Sequence, residues 1–247
     1  MEGGTAMPNE EVFVPYGPTH WAALGVCVLG AVLVVMLGRR LRGSPAEVGF
    51  SRAFAAVLTT YAVTMLVYRS VPDHFDVHIS LPVHLSDLAW MVAAIALWTR
   101  ARWATALTYY WGLTLNPQAI LTPALDSPDF PHIDFIDLWV QHILVLWATL
   151  YLIWGRGGRV DWGSYRLAMV VTVTWAMAAF GLNNWLGTNY GFLNGKPDNP
   201  SILDLFGPWP WYLLVEFLII AVAWALITWP WTSRRQSTAE PRVGAAG

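Results

Sequence analysis

A histidine, a serine and an aspartate stand together at the start of an apolar stretch. His84, Ser86 and Asp87 open a run that continues to Trp98 without further charge. Burying such groups in hydrocarbon costs free energy, so they need partners or water. In a regular helix, His84 and Asp87 share a face, whereas Ser86 points about 100° away. We therefore expect one of Ser86 and His84 to be structural unless the helix begins irregularly.

Other apolar segments bring polar side chains to a similar depth. At a rise of about 1.5 Å per residue, Ser86, His142 and Glu216 lie roughly 7–12 Å below one end of their helices. A single Ser or Asn in a membrane helix often only bonds a neighbouring helix, but two ionisable groups at one level indicate a site. The predicted polar layer contains Ser86, Asp87, Gln118, His142, Asn183, Asn184 and Glu216.

Seven segments are long and apolar enough to position these residues in a membrane. The chain is 56% hydrophobic and 12% charged, far from a soluble average, and each span needs about 20 apolar residues. The pattern predicts an all-α polytopic membrane protein, a seven-helix transmembrane bundle at residues 19–232. Residues 1–18 form a predicted outer segment, and residues 233–247 a disordered cytoplasmic tail. The predicted spans are 19–38, 50–68, 81–98, 103–122, 134–154, 166–186 and 209–231.

Basic residues decide the predicted orientation. Of the fourteen Lys and Arg residues, all but Arg69 and Lys196 lie in or beside the connections after the first, third and fifth spans, or in the tail. Positively charged connections stay in the cytoplasm, so the N-terminus is predicted outside and the C-terminus inside. The predicted location is the cell membrane, crossed several times.

Composition also argues against several function classes. The net charge is −2, and neither a basic nucleic-acid patch nor a Gly-rich phosphate loop stands out, so we predict no nucleic-acid partner and no cofactor. Cys27 is the only cysteine, which excludes a disulfide framework or a thiolate metal site within one chain. The predicted partner is a membrane lipid, and the oligomeric state stays open.

Three stretches between residues 116 and 216 resemble a known family. They are NPQAILTP at 116–123, LGTNY at 186–190 followed by Lys196 and Pro197, and LFGPWPWYL at 205–213 followed by Glu216. Together they resemble the YwaF-like integral membrane proteins, a bacterial family related to a mammalian multi-pass phospholipid acyltransferase. The resemblance extends over about the third to the seventh segment.

That resemblance implies a cysteine nucleophile on one helix and a histidine on a later one. His142 fits the histidine position, and Ser86 stands where the relatives carry cysteine. Serine is the weaker nucleophile near neutral pH and needs a general base. Either Ser86 works with His142, or this chain has lost the acyl-transfer step.

The leading hypothesis is acyl chemistry within the membrane. An acyltransferase or esterase of this kind would act on a lipid acyl ester from the outer side. Ser86 would attack the ester carbonyl, and His142 would take its proton and return it to the leaving group. Asp87 or Glu216 would orient the imidazole.

Substrate-binding roles are predicted for further polar residues. Amide side chains could stabilise the oxyanion formed on ester attack, and the loop residue Lys196 could hold a lipid phosphate as a point charge. Because Lys196 is the only lysine, retinal binding through a Schiff base is disfavoured. The predicted set is His84, Gln118, Asn183, Asn184, Asn189 and Lys196.

Two other classes stay open. A carrier or receptor for a lipid or small molecule would use the same polar pocket without catalysis. A metal-dependent lipid hydrolase would draw zinc ligands from His and Asp residues near the outer surface, although their spacing matches no tight zinc signature. Those candidate ligands are His74, Asp76, His78, His84, Asp87, His132 and Asp134.

The predicted orientation can be tested with reporter fusions. Fusions after Arg102 and after Arg235 should both report a cytoplasmic location, because twelve of the fourteen basic residues would lie on that side. A periplasmic signal from either fusion would contradict the predicted topology.

Overall fold

The computed structural model describes residues 12–123, 125, 127–197 and 202–237, and the regular elements of that part are all helices. The predicted all-α polytopic bundle is thereby confirmed, while the membrane side of each terminus stays a prediction. Residues 1–11 of the predicted outer segment and residues 238–247 of the predicted tail lie outside the described residues. The long helices are α1 Pro18–Leu41, α2 Pro45–Ser70, α3 Leu85–Thr99, α4 Arg102–Leu121, α5 Ile133–Leu150, α6 Trp162–Leu186 and α7 Trp211–Ser237.

Three short helical turns complete these elements. A π-helical turn, Tyr151–Gly155, extends α5, and two 3-10 turns, Tyr190–Phe192 and Ile202–Phe206, lie between α6 and α7. α7 continues to Ser237, past the predicted start of the tail at residue 233.

The chain direction sorts the connections onto two ends of the bundle. The loop end, as we name it, carries the long connections 71–84, 122–132 and 187–210. The arginine end carries the short connections 42–44, 100–101 and 156–161.

Five helices are long and apolar enough to cross a membrane: α1, α2, α5 with its π turn, α6 and α7. Exposed tryptophans mark both ends of two of them, Trp162 and Trp185 on α6 and Trp211 and Trp229 on α7. At 1.5 Å per residue the two pairs are about 34 Å and about 27 Å apart. These separations match a hydrocarbon core of about 30 Å, at whose edges tryptophan is enriched.

The other two helices form the centre of the bundle. α3 has 15 residues, about 22 Å, which is shorter than the hydrocarbon core. Leu97 of α3 and Tyr110 and Trp111 of α4 are at most 1% exposed. Because other helices surround α3 and α4, these two need neither full span length nor uniform apolarity.

α3 begins at Leu85, not at residue 81 as predicted. The preceding residues fold into a turn in which the Val83 N–H donates to the Leu81 carbonyl at 2.8 Å. The Asp87 carboxylate then reaches back and accepts the His84 N–H at 3.0 Å. This bond supplies an acceptor at a helix start, where backbone donors lack one. The polar residues thus begin the helix instead of lying inside it.

Side-chain hydrogen bonds join α7 to α4 in the middle of the bundle and towards the arginine end. Trp224 Nε1 donates to Thr114 Oγ1 at 3.0 Å, and the Tyr110 and Thr228 hydroxyls bond at 2.6 Å. Within hydrocarbon each of these groups needs such a partner. Towards the loop end, residues 213–220 of α7 line a cavity instead.

α1 lies directly on the π turn that extends α5. A Cβ added at Gly38 would lie 2.7 Å from Gly155 Cα, and Arg42 Nη2 donates to the Gly155 carbonyl at 2.6 Å. We expect Gly38→Ala to lower the free energy of unfolding by about 1–3 kcal/mol, the usual cost of overpacking, in thermal unfolding of the purified protein in detergent.

Gly25→Ala on the same helix is the matched control. Nothing lies within 4 Å of a Cβ added there, and alanine favours a helix more than glycine does. This variant should be as stable as the wild type or more so. Equal stability of the two variants would show that the close approach at Gly38 is not a packing constraint.

Candidate functional site

A cavity of about 940 Å³ lies at the loop end, between α7 and the centre of the bundle. α3, α4, α5, α6 and α7 all contribute to its wall. Six of the predicted site residues line it: His84, Ser86, Asp87, Gln118, His142 and Glu216. The structure therefore brings together the ionisable residues whose matching depth the sequence indicated.

The irregular start of α3 lets three neighbouring residues line the cavity. His84 precedes the first helical residue, and its ring packs against Tyr190 with 4.9 Å between ring centres. Ser86 and Asp87 lie in the first turn of α3. The sequence predicted that either His84 or Ser86 would point away from the site if a regular helix included His84. Because α3 begins at Leu85, that condition is not met.

The ring of His142 is oriented by its own helix. Its Nδ1 lies 2.7 Å from the Leu138 carbonyl oxygen. A carbonyl oxygen only accepts, so Nδ1 carries the proton and Nε2 of the neutral ring keeps its lone pair. The orienting partner is thus the Leu138 carbonyl, which replaces Asp87 and Glu216, the partners expected from the sequence.

The two carboxylates have different surroundings. Asp87 accepts the His84 N–H, and Gln141 lies beside it. Glu216 is half-buried at the cavity wall and has no hydrogen-bond partner among the residues that the structure describes. The Glu216 carboxylate is therefore available to a polar group in the cavity.

An ion pair that the sequence analysis missed lies in the same wall. Arg69 at the end of α2 pairs with Asp137 of α5, and Tyr61 Oη donates to the same carboxylate at 3.3 Å. The Asp137 side chain is only 2% exposed, so its charge needs this partner. The sequence did carry a signal, because Asp134, Asp137 and Gln141 recur at helical spacing on one face of α5.

A chamber of about 20 Å³ adjoins the large cavity beside this ion pair. Arg69, Asp87, Asp137 and Gln141 line both spaces. One water molecule needs about 10–15 Å³ and two to four polar partners. The chamber therefore has the size and the polarity to hold one water molecule next to the candidate site.

The long connections at the loop end are held to one another and to α6 beside the cavity. Tyr190 Oη donates to the Val77 carbonyl at 2.6 Å, and Trp175 Nε1 donates to the Val83 carbonyl at 2.8 Å. Gly191 adopts a φ of +69°, and a Cβ there would lie 2.6 Å from the Trp175 ring. These contacts fix the 3-10 turn after α6 against the segment that precedes α3.

Three predicted substrate-binding residues lie outside the cavity lining, and their amides make hydrogen bonds within the fold instead. Asn183 is 1% exposed; its amide nitrogen donates to the Tyr190 carbonyl at 2.9 Å, and its amide oxygen accepts the Tyr190 N–H at 2.8 Å. Asn184 and Asn189 donate to main-chain carbonyls at 2.8 and 2.9 Å. Their amides are engaged in the fold, which corrects the predicted oxyanion role of Asn183 and Asn184.

Lys196 also lies outside the cavity lining. Its Nζ lies 3.5 Å from Asp204 Oδ1 and 5.8 Å from the centre of the Tyr212 ring. The lysine charge is therefore compensated within the connection between α6 and α7. This placement gives the predicted lipid-phosphate contact no support.

The described residues contain no group of three or more His, Cys, Asp or Glu side chains placed to hold a metal ion. The candidate ligands have other contacts. His74 stacks on Tyr68 with 4.2 Å between ring centres, and His132 Nδ1 accepts the Asp134 N–H at 3.3 Å at the start of α5. The donor set that a zinc-dependent hydrolase requires is therefore not assembled in this part of the chain.

A family model matches residues 15–228 of the sequence, which is most of the chain. The chain belongs to the TMEM164 family. The TMEM164 match includes every residue that lines the cavity. It shows a multi-pass membrane family; neither the expected relationship to YwaF-like proteins nor an acyltransferase activity is part of this finding. No curated protein and no solved structure matches the chain.

The buried ion pair of this TMEM164 protein can be tested by a double substitution. Arg69→Met should lower the free energy of unfolding by about 3 kcal/mol, because it leaves the Asp137 carboxylate buried without its partner. Arg69→Met combined with Asp137→Leu should recover most of that loss, since no charge then stays buried. Thermal unfolding in detergent measures both. A double variant no more stable than Arg69→Met alone would refute the coupling.

Proposed function

We propose that this chain is a membrane-embedded acyltransferase or esterase that acts on a lipid acyl ester. The observation that carries the proposal is that Ser86 and His142 line one cavity, with His142 Nε2 left as a proton acceptor. A serine nucleophile needs such a base. The same proposal places the cavity on the outer side of the cell membrane, in keeping with the distribution of basic residues.

The reaction would proceed in two balanced steps. Ser86 Oγ attacks the ester carbonyl while His142 Nε2 takes the hydroxyl proton, and that proton then passes to the departing lipid alcohol. An acyl-Ser86 ester remains. In the second step water or another lipid hydroxyl gives its proton to His142 and attacks the acyl carbon, which releases the acid or the new ester and returns the proton to Ser86.

Stabilisation of the oxyanion would come from donors that line this cavity. The first N–H groups of a helix have no acceptor within the helix, and Leu85 and Ser86 occupy the first two positions of α3. Their N–H groups, together with the Gln118 amide, replace Asn183 and Asn184 in this role. With His142 oriented by its own helix, Glu216 is available to bind a polar group of the substrate.

The cavity suits a lipid in size and lining. Its volume of about 940 Å³ lies at the upper end of the roughly 300–1,000 Å³ typical of ligand pockets. Apolar side chains such as Leu115, Met177 and Phe217 contribute to the lining alongside the polar candidates. An acyl chain can therefore be buried while its ester reaches the polar side.

A non-enzymatic lipid carrier is the second candidate function. One observation favours it: in the described part of the chain, no hydrogen bond joins Ser86 to His142. Catalytic hydrogen bonds often shorten only when the substrate binds. The enzymatic hypothesis therefore requires Ser86 and His142 to come within hydrogen-bond distance once an ester is bound. A carrier would need no such closure.

Substitution of the two residues separates the functions. Ser86→Ala and His142→Ala should each abolish acyl transfer or hydrolysis of labelled phospholipid by purified protein in vesicles, because one removes the nucleophile and the other the base. Ser86→Cys should retain or raise activity, since a thiol is the better nucleophile near neutral pH.

Asn184→Ala is the control, because Asn184 is exposed and lies outside the cavity lining. It should keep wild-type activity. Full activity of Ser86→Ala would end the covalent mechanism. Retention of bound lipid by the wild type with no turnover would establish the carrier instead.

A further inference from the structure

The cavity is polar on one side and apolar on the other. Its imidazoles and most of its carboxylates come from α5 and from the start of α3, whereas α6 and α7 supply a wall in which Glu216 is the one charged group. The apolar residues of that wall include Val173, Ala176, Met177, Phe180, Phe217 and Ile220. Such a division matches an amphipathic molecule with a polar group and a hydrocarbon chain.

Part of the apolar wall also lies on the outer surface of the bundle. Met177 is 65% exposed, Phe217 42% and Phe180 40%, although all three line the cavity. Side chains that line a cavity and are also this exposed mark an opening. Met177 lies about 12 Å along α6 from Trp185, the tryptophan at the loop end of that helix, so this opening faces hydrocarbon.

The loop end of the cavity is partly covered by chain. Phe192, Leu193 and Pro197 of the α6–α7 connection line the cavity at the loop end. The Tyr212 hydroxyl donates to the Phe192 carbonyl, and Trp209 Nε1 donates to the Leu193 carbonyl at 3.1 Å. Ile79 is 54% exposed and also lines the cavity, so the loop end keeps an opening beside these contacts, and the side opening is a second route that lies at the depth of the hydrocarbon.

We infer that a membrane lipid enters the cavity sideways from the bilayer, through the opening at Met177, Phe180 and Phe217. Its acyl chain lies along the α6–α7 wall and its polar group beside α3 and α5. On this inference the ligand is a lipid still anchored in the membrane, and a soluble acyl compound arriving through the loops is the competing alternative. This inference rests on the proposed function only for the position of the ester at Ser86, since entry requires no turnover.

Photochemical labelling tests this route. The full chain is placed in phosphatidylcholine vesicles that contain a trace of phosphatidylcholine with a diazirine at the end of one acyl chain, and adducts are mapped by mass spectrometry after illumination. We expect adducts on Trp175, Ala176 and Ile220, which line the cavity from α6 and α7 and are partly buried. A chain in the surrounding bilayer cannot label them efficiently.

Two tryptophan substitutions on α6 form a matched pair. Met177→Trp places a bulky ring at the opening and should reduce the cavity adducts several-fold. Val170→Trp is its control, because Val170 is 64% exposed but does not line the cavity, and it should leave them unchanged. Phe217→Trp tests the opening from α7, and thermal unfolding verifies that each variant is folded.

The outcomes separate the route from the chemistry. Wild-type adducts confined to lipid-facing residues, or equal cavity adducts in folded Met177→Trp and Val170→Trp, would overturn sideways entry. Cavity adducts without any phospholipid turnover would support sideways entry and contradict the proposed reaction. Phospholipid turnover without cavity adducts would support the proposed reaction and contradict sideways entry. Ser86→Ala should keep the adducts of the wild type, since Ser86 is not part of the opening.

Discussion

A polar group inside hydrocarbon must find a partner within the protein or face a solvated space, and this constraint accounts for how α7 packs on α4 and for the cavity beside them. In the middle and towards the arginine end, partners are direct: the Tyr110 and Thr228 hydroxyls bond each other at 2.6 Å, and Trp224 donates to Thr114. These bonds hold α7 on α4. Towards the loop end α7 leaves α4, and its Glu216 faces the cavity formed there.

α5 shows three solutions to the same constraint within two helical turns. Asp137 is neutralised by Arg69 from α2. His142 satisfies one ring nitrogen with a carbonyl of its own helix and presents the other to the cavity. Gln141 lies beside Asp87. One helix therefore carries both a structural residue, Asp137, and a candidate functional residue, His142. Their roles differ because a neighbouring helix supplies a charged partner to Asp137 and, among the described residues, none to His142.

The connections at the loop end are part of the site's construction. Asn183 uses both atoms of its amide to hold Tyr190, and Tyr190 in turn bonds the segment before α3. That segment places His84 outside the helix, so Ser86 and Asp87 lie in its first turn. Asn183, which the sequence suggested as a substrate-binding residue, thus acts indirectly: it fixes the backbone that positions the candidate nucleophile Ser86.

The sequence by itself determined the helical membrane class, the sorting of arginines to one end, and the gathering of Ser86, His142 and Glu216 at one level, because each follows from local composition and a constant rise per residue. Only the tertiary structure decided the start of α3, the Arg69–Asp137 pair and the structural role of Asn183. These depend on which side chains face one another across helices and connections, and spacing along a single chain carries no such information.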